Sequence, residues 1–77
     1  MQPRVPLTSR EVEVLRTWLL TDSKSVAASR LVISVGTVNT HLARIRTKYA
    51  DAGRPARTKA SLVARAIQDG LISLDEL

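Results

Sequence analysis

Cysteine is missing altogether from the 77 residues. Its absence excludes a disulfide framework and a thiolate metal site, and it fits a reducing compartment. Histidine occurs once, at His41, with no nearby carboxylate to complete a metal site. A catalytic imidazole needs a nucleophile and an orienting acid, and neither is supplied. A glycine-rich phosphate loop and a credible pair of carboxylates are also lacking. The chain is therefore expected not to be an enzyme and to hold neither cofactor nor metal. Aromatics are few: Trp18 and Tyr49 are the only two. Both fall on inward or flanking helical positions, so they belong to a core and make no platform for stacking single-stranded bases. No apolar run approaches the roughly 18 residues that a membrane span requires. The opening Met1-Gln2-Pro3-Arg4-Val5-Pro6 lacks the apolar stretch of a signal peptide. These absences together lead to the expectation of a cytoplasmic protein that makes no membrane contact.

What is present is positive charge, and it is concentrated. The net charge is +5. Between Ser34 and Ala66 stand seven bases, Arg44, Arg46, Lys48, Arg54, Arg57, Lys59 and Arg65, against the single acid Asp51. The last eleven residues hold Asp69, Asp75 and Glu76 and no base. A charge gathered in one stretch points to an anionic partner. The length allows one domain, 1–77, with a compact core and modest stability, since a chain of this size buries only about 60% of its unfolded surface.

The apolar spacing is helical throughout and predicts an all-α, compact four-helix domain. Thr8-Ser9-Arg10-Glu11 has the form of a capping box and opens the first helix. Val12, Leu15 and Leu19 form its expected inward stripe, with Trp18 beside it, and its end is expected near Thr21-Asp22. Ser23 caps a second helix, about 24–31, whose Ala27 and Ala28 let a neighbour approach closely. Ser34 caps a third, 35–49. Its stripe is Val38, Leu42, Ile45 and Tyr49, and its opposite face carries Gly36, Thr40, Ala43, Arg44 and Thr47, with Asn39 and Arg46 at the edge. Small hydrogen-bonding residues bordered by arginine are an unusual choice for a merely solvated face. Ala50 to Arg57, containing Gly53 and Pro55, is expected as a loop. Thr58 caps a fourth helix, about 59–69, stopped by Gly70. Its apolar residues span about 200°, where packing on one core needs little more than about 100°. The excess predicts a second apolar contact through Leu62, Val63, Ala66 and Ile67.

Two short helices, a tight turn and a polar-faced second helix make a helix-turn-helix pattern. Here the likeness becomes specific. Leu7-Thr8-Ser9-Arg10-Glu11-Val12-Glu13-Val14-Leu15 resembles the opening of the LuxR-type (GerE or NarL-type) helix-turn-helix domain. Ile33-Ser34-Val35-Gly36-Thr37-Val38-Asn39-Thr40-His41 is similar to that family's turn and recognition helix. Arg57-Thr58-Lys59-Ala60 with Gly70-Leu71-Ile72 resembles its last helix. The resemblance implies an output domain at the C-terminus of a longer transcription or response regulator. It implies a homodimer on double-stranded DNA, with the fourth helix as the dimer contact. It also implies base contacts from Asn39, Thr40 and Ala43, of which asparagine can bond bidentately to adenine, and backbone contacts from Thr37, His41 and Arg44. Charge alone adds Arg46, Lys48, Arg54 and Arg57 to the phosphate-facing set.

Two departures from the family pattern stand out. Val32 occupies a place often held by glycine, and because valine resists positive φ the turn is expected to form without a left-handed residue there. The loop from Ala50 to Ala56 is longer than usual. A second reading of the apolar fourth helix is a protein-interaction module that contacts RNA polymerase or a regulatory partner. It differs from the first in requiring no DNA affinity at low salt.

Overall fold

The computed structural model describes residues 5–77; Met1 to Arg4, part of the expected 1–77 domain and of the opening stretch, lie outside the described residues. Four α-helices follow one another: α1 (Ser9–Leu19), α2 (Lys24–Leu31), α3 (Val35–Asp51) and α4 (Lys59–Gln68), before a single 3-10 turn at Leu74–Glu76. Among the described residues no helix is long and apolar enough to cross a membrane.

Each α-helix starts where a hydroxyl can satisfy a free backbone donor. Thr8 accepts from the Glu11 amide at 3.1 Å while Glu11 accepts from the Thr8 amide at 2.8 Å. Ser23 accepts from Val26 at 3.1 Å, Ser34 from Thr37 at 3.0 Å and Thr58 from Ser61 at 3.0 Å. The ends differ from the expected ones by one to three residues. The first helix stops at Leu19, the third runs on to Asp51 and takes two residues from the expected loop, and the fourth ends at Gln68.

Three of these helices end in one and the same hydrogen-bond pair, the Schellman arrangement. At the end of α3, Gly53 donates to the Ala50 carbonyl (3.0 Å) and Arg54 to that of Tyr49 (2.9 Å). At the end of α4, Gly70 donates to Ile67 (3.1 Å) and Leu71 to Ala66 (2.8 Å). At the end of α2, Val32 donates to Ser29 (3.2 Å) and Ile33 to Ala28 (3.0 Å). The arrangement needs a left-handed residue, and it is Gly53 (φ 73), Gly70 (φ 73) and Val32 (φ 58) respectively. The expectation of a turn without a left-handed residue at Val32 is thus overturned. The two hydrogen bonds and the placing of Ile33 against the core outweigh the preference of a β-branched side chain. That side chain is 89% exposed and gains nothing from packing, so the position carries strain of about 1–3 kcal/mol.

The core joins all four helices. Val14, Leu15, Trp18 and Leu19 of α1 meet Ala27 and Ala28 of α2, Val38, Leu42, Ile45 and Tyr49 of α3, and Leu62 and Ala66 of α4. The α3 stripe is the expected one. On α1, Val14 replaces the expected Val12, which is only half-buried, because α1 packs against α2, α3 and α4 and so buries a wider arc than one stripe. Ala56 from the loop and Ile72 from the tail complete the cluster. Leu62 and Ala66 are fully buried in this core, and Val63 and Ile67 lean on it. One edge of the broad apolar arc of α4 is therefore used by its own domain, while Ala60 and Ala64 on the other edge are exposed. Leu62 and Ala66 have no surface to offer another copy.

Ionic ties close the C-terminal side. Buried Arg54 pairs with Asp69 at 2.7 Å and donates to Gln68 at 3.0 Å, and Tyr49 donates to the same carboxylate at 2.9 Å. Burial opposes the charge on Asp69, but the hydrogen bonds from Arg54 and Tyr49 outweigh it and hold the carboxyl below its usual value. Burial and the Asp69 bond together push the Tyr49 hydroxyl well above the ordinary phenol range. Arg16 bonds the Leu71 carbonyl and pairs with Glu76 at 2.7 Å, which fastens the tail to α1.

Candidate nucleic-acid interface

The side of α3 opposite Val38, Leu42 and Ile45 is open. Gly36, Thr37, Asn39, Thr40, Ala43, Arg44 and Thr47 are all exposed. The three residues expected at base edges, Asn39, Thr40 and Ala43, thus share one solvent-facing surface. The Thr40 hydroxyl donates to the Gly36 carbonyl and the Thr47 hydroxyl to that of Ala43, both at 3.0 Å. With its proton so engaged, each threonine has lone pairs and a methyl group left for a partner. A Cβ added to Gly36 would meet only Ser34 Oγ, at 3.7 Å. The fold itself therefore does not require glycine at this helical position.

The expected phosphate-facing residues divide into three groups. Thr37, Arg44 and Arg57 are exposed, and among the described residues neither arginine is in an ion pair. His41 and Arg46 are half-buried. His41 lines a shallow depression with Thr8, Glu11, Ala43, Arg44, Thr47 and Lys48. Half-buried Lys48 and buried Arg54 are each paired with an acid of the domain. Lys48 Nζ lies 2.6 Å from Glu11 and 3.0 Å from the Pro6 carbonyl. Burial would raise the Glu11 carboxyl, yet the Lys48 and Thr8 hydrogen bonds keep it below its usual value. Arg54, 7% exposed, ties the longer loop to α4 through Asp69 and Gln68. A cation count along the chain does not distinguish a base with a distant acid partner from one without.

Sequence reasoning passed over two bases. Lys24 and Lys59 bring their ammonium groups to 5.9 and 4.9 Å from the centre of the Trp18 ring, and Arg46 brings its guanidinium to 5.6 Å. The available signal was the first turn of each helix. Acids favour that position, yet α2, α3 and α4 have none there, and α1 has Glu11.

Residues 5–55 match the family model GerE, described as bacterial regulatory proteins of the luxR family. The matched span takes in α1, α2 and α3 and stops in the loop before α4. No curated protein and no solved structure matches the chain.

Proposed function

The chain belongs to the luxR family of bacterial regulatory proteins, and from that premise we propose that it binds double-stranded DNA sequence-specifically, with α3 lying in the major groove, and thereby regulates transcription. The observation that carries this reading is the outer face of α3. It is exposed and lined with small and hydrogen-bonding side chains. Between Val35 and Ala50 the helix carries no acid. The major groove, about 12 Å wide, admits a single helix, and a face without carboxylates meets no repulsion from the phosphates on either side.

In this arrangement Asn39 reads an adenine edge, and Thr40 and Ala43 offer methyl groups to thymine. Thr37, Arg44 and Arg57 neutralise phosphates, with His41 and Arg46 on the two flanks. The domain acts as the output end of a cytoplasmic regulator and as a homodimer on DNA. Half-buried Val63 and Ile67, with exposed Ala60 and Ala64 beside them, are the apolar surface on α4 that remains for the dimer contact. The two residues of the apolar arc that would anchor a protein-interaction module, Leu62 and Ala66, are taken by the core, and the open acid-free face of α3 favours the DNA reading.

The test is fluorescence anisotropy of a mixed-sequence duplex across a salt series. The wild type should bind with steep salt dependence, and Arg44→Ala should lower the slope of log K against log salt by about 1. On a selected site, Asn39→Ala should cost about 1–3 kcal/mol at one base pair. Folded protein that shows no binding at low salt would overturn the reading.

A further inference from the structure

Lys24, Arg46 and Lys59 belong to three different helices, α2, α3 and α4, and their cationic groups all lie within 6 Å of the centre of one indole ring. Like charges that converge on one ring repel, and a nearby carboxylate would relieve that repulsion. None does here: among the described residues no ion pair joins any of the three to an acid. The Trp18 ring, itself 5% exposed, attracts cations to its face but cannot neutralise them. The Thr21 carbonyl accepts from Lys59 at 3.1 Å and fixes one of the three in place.

The positions of the two lysines add to the imbalance. Each is the first residue of its helix, at the end where the helix dipole already presents partial positive charge and favours an anion. Two cations set at the positive ends of two helices, next to a third, leave one unmet requirement, which is negative charge. The cluster also has a definite location. Arg46 is two helical turns from Asn39 on the same flank of α3, opposite the flank that carries Thr37 and His41.

We propose that Lys24, Arg46 and Lys59 form a clamp around Trp18 that grips a backbone phosphodiester of the DNA strand bordering the α3 face. The clamp rests on the DNA reading above and extends it, adding Lys24 of α2 and Lys59 of α4 to the phosphate contact of Arg46. Trp18 holds the three cations in place before the duplex arrives, so less side-chain freedom is lost on binding.

Trp18 is the only tryptophan, so its emission reports on the clamp. The whole chain is titrated with a mixed-sequence duplex over a salt series while anisotropy and tryptophan emission are followed. The same titration is made for Lys24→Gln, for Lys24→Gln/Lys59→Gln and for Lys24→Arg. Inorganic phosphate alone provides a parallel arm, and thermal unfolding verifies that each variant is folded. The duplex is expected to alter wild-type emission. The double variant is expected to bind about tenfold more weakly with a salt slope lower by about 1, and Lys24→Arg to behave as wild type. Should loss of the Thr21 contact unfold the double variant, Lys24→Gln alone decides the matter, with a smaller fall in slope expected. Undiminished slope and unchanged emission in variants of a wild type that binds would overturn the clamp and leave the DNA reading standing. Absence of wild-type binding would remove that reading first, and the clamp with it. Saturation of the emission change by millimolar phosphate, with no added change from duplex, would mark a site for free anions and overturn the DNA assignment.

Discussion

Two regions of this small domain are built to different standards. Around α1, the end of α3, the long loop and the end of α4, charges are paired: Glu11 with Lys48, Arg16 with Glu76, Arg54 with Asp69, which also accepts from Tyr49, and glycine stands at both left-handed helix ends. From α2 through the first three turns of α3, and again at the approach to α4, the opposite holds. Among the described residues Lys24, Arg30, Arg44, Arg46, Arg57 and Lys59 have no acid partner, a valine stands in the left-handed region and a glycine sits on an open helical face. The difference teaches that stability and recognition are assigned to different parts of one core. Local rules are broken where a partner is proposed to bind and kept where nothing need approach.

The sharpest way to break the contrast is to damage the matched region. Asp69→Ala leaves Arg54 buried without its carboxylate and removes the acceptor of Tyr49. It should destabilise the domain by about 3 kcal/mol, a fall in Tm of more than about 10 °C for a chain this short. DNA affinity of the folded fraction should stay as in the wild type. A loss below about 1 kcal/mol in denaturant melts would show that the tie contributes little.

Acid should act on the same region more gradually. Glu11 and Asp69 are held low against their burial by Lys48, Thr8, Arg54 and Tyr49, and Glu76 by Arg16. A carboxyl whose value is lower in the folded chain than in the unfolded one contributes its full stabilisation above the unfolded value, near 4. That contribution is lost as pH falls through the folded value. Thermal melts should therefore be flat from about pH 7 to 5 and decline below about pH 4. A Tm that does not decline there would rule out these pairs as the source.

The smallest effect lies in the mismatched region and has the opposite sign. Val32→Gly relieves left-handed strain of about 1–3 kcal/mol and adds about 0.5–1 kcal/mol of unfolded-state freedom, leaving a gain of about 1 kcal/mol. A stability that falls in this variant would mean that the exposed valine packs more than its surroundings suggest.

What could be read from the sequence was mostly local. The four hydroxyl caps act on amides three residues on, and the stripe Val38, Leu42, Ile45 and Tyr49 follows helical periodicity alone, so both were legible. So was the shared exposure of Asn39, Thr40 and Ala43, which is the reverse side of that stripe. The missed features all depend on distant parts of the chain. Arg54 finds its acid fifteen residues on. Ala56 and Ile72 extend the core that buries Leu62 and Ala66, and an apolar arc does not say which partner covers it. Lys24 and Lys59 approach one ring, Trp18, from different helices. Val32 adopts a conformation its own preferences oppose, imposed by the way α2 and α3 must meet.

Because Val32 opposes it, that corner also has a place in time. A segment whose local preference agrees with its final shape can form early, whereas one whose preference disagrees must wait until contacts from elsewhere hold it. The corner between α2 and α3 is thus expected to close late, after Leu15, Leu42 and Ile45 have come together. The gain from Val32→Gly should then appear almost wholly as slower unfolding, with the refolding rate nearly unchanged. Faster refolding of that variant in a chevron experiment would place the corner in the nucleus instead.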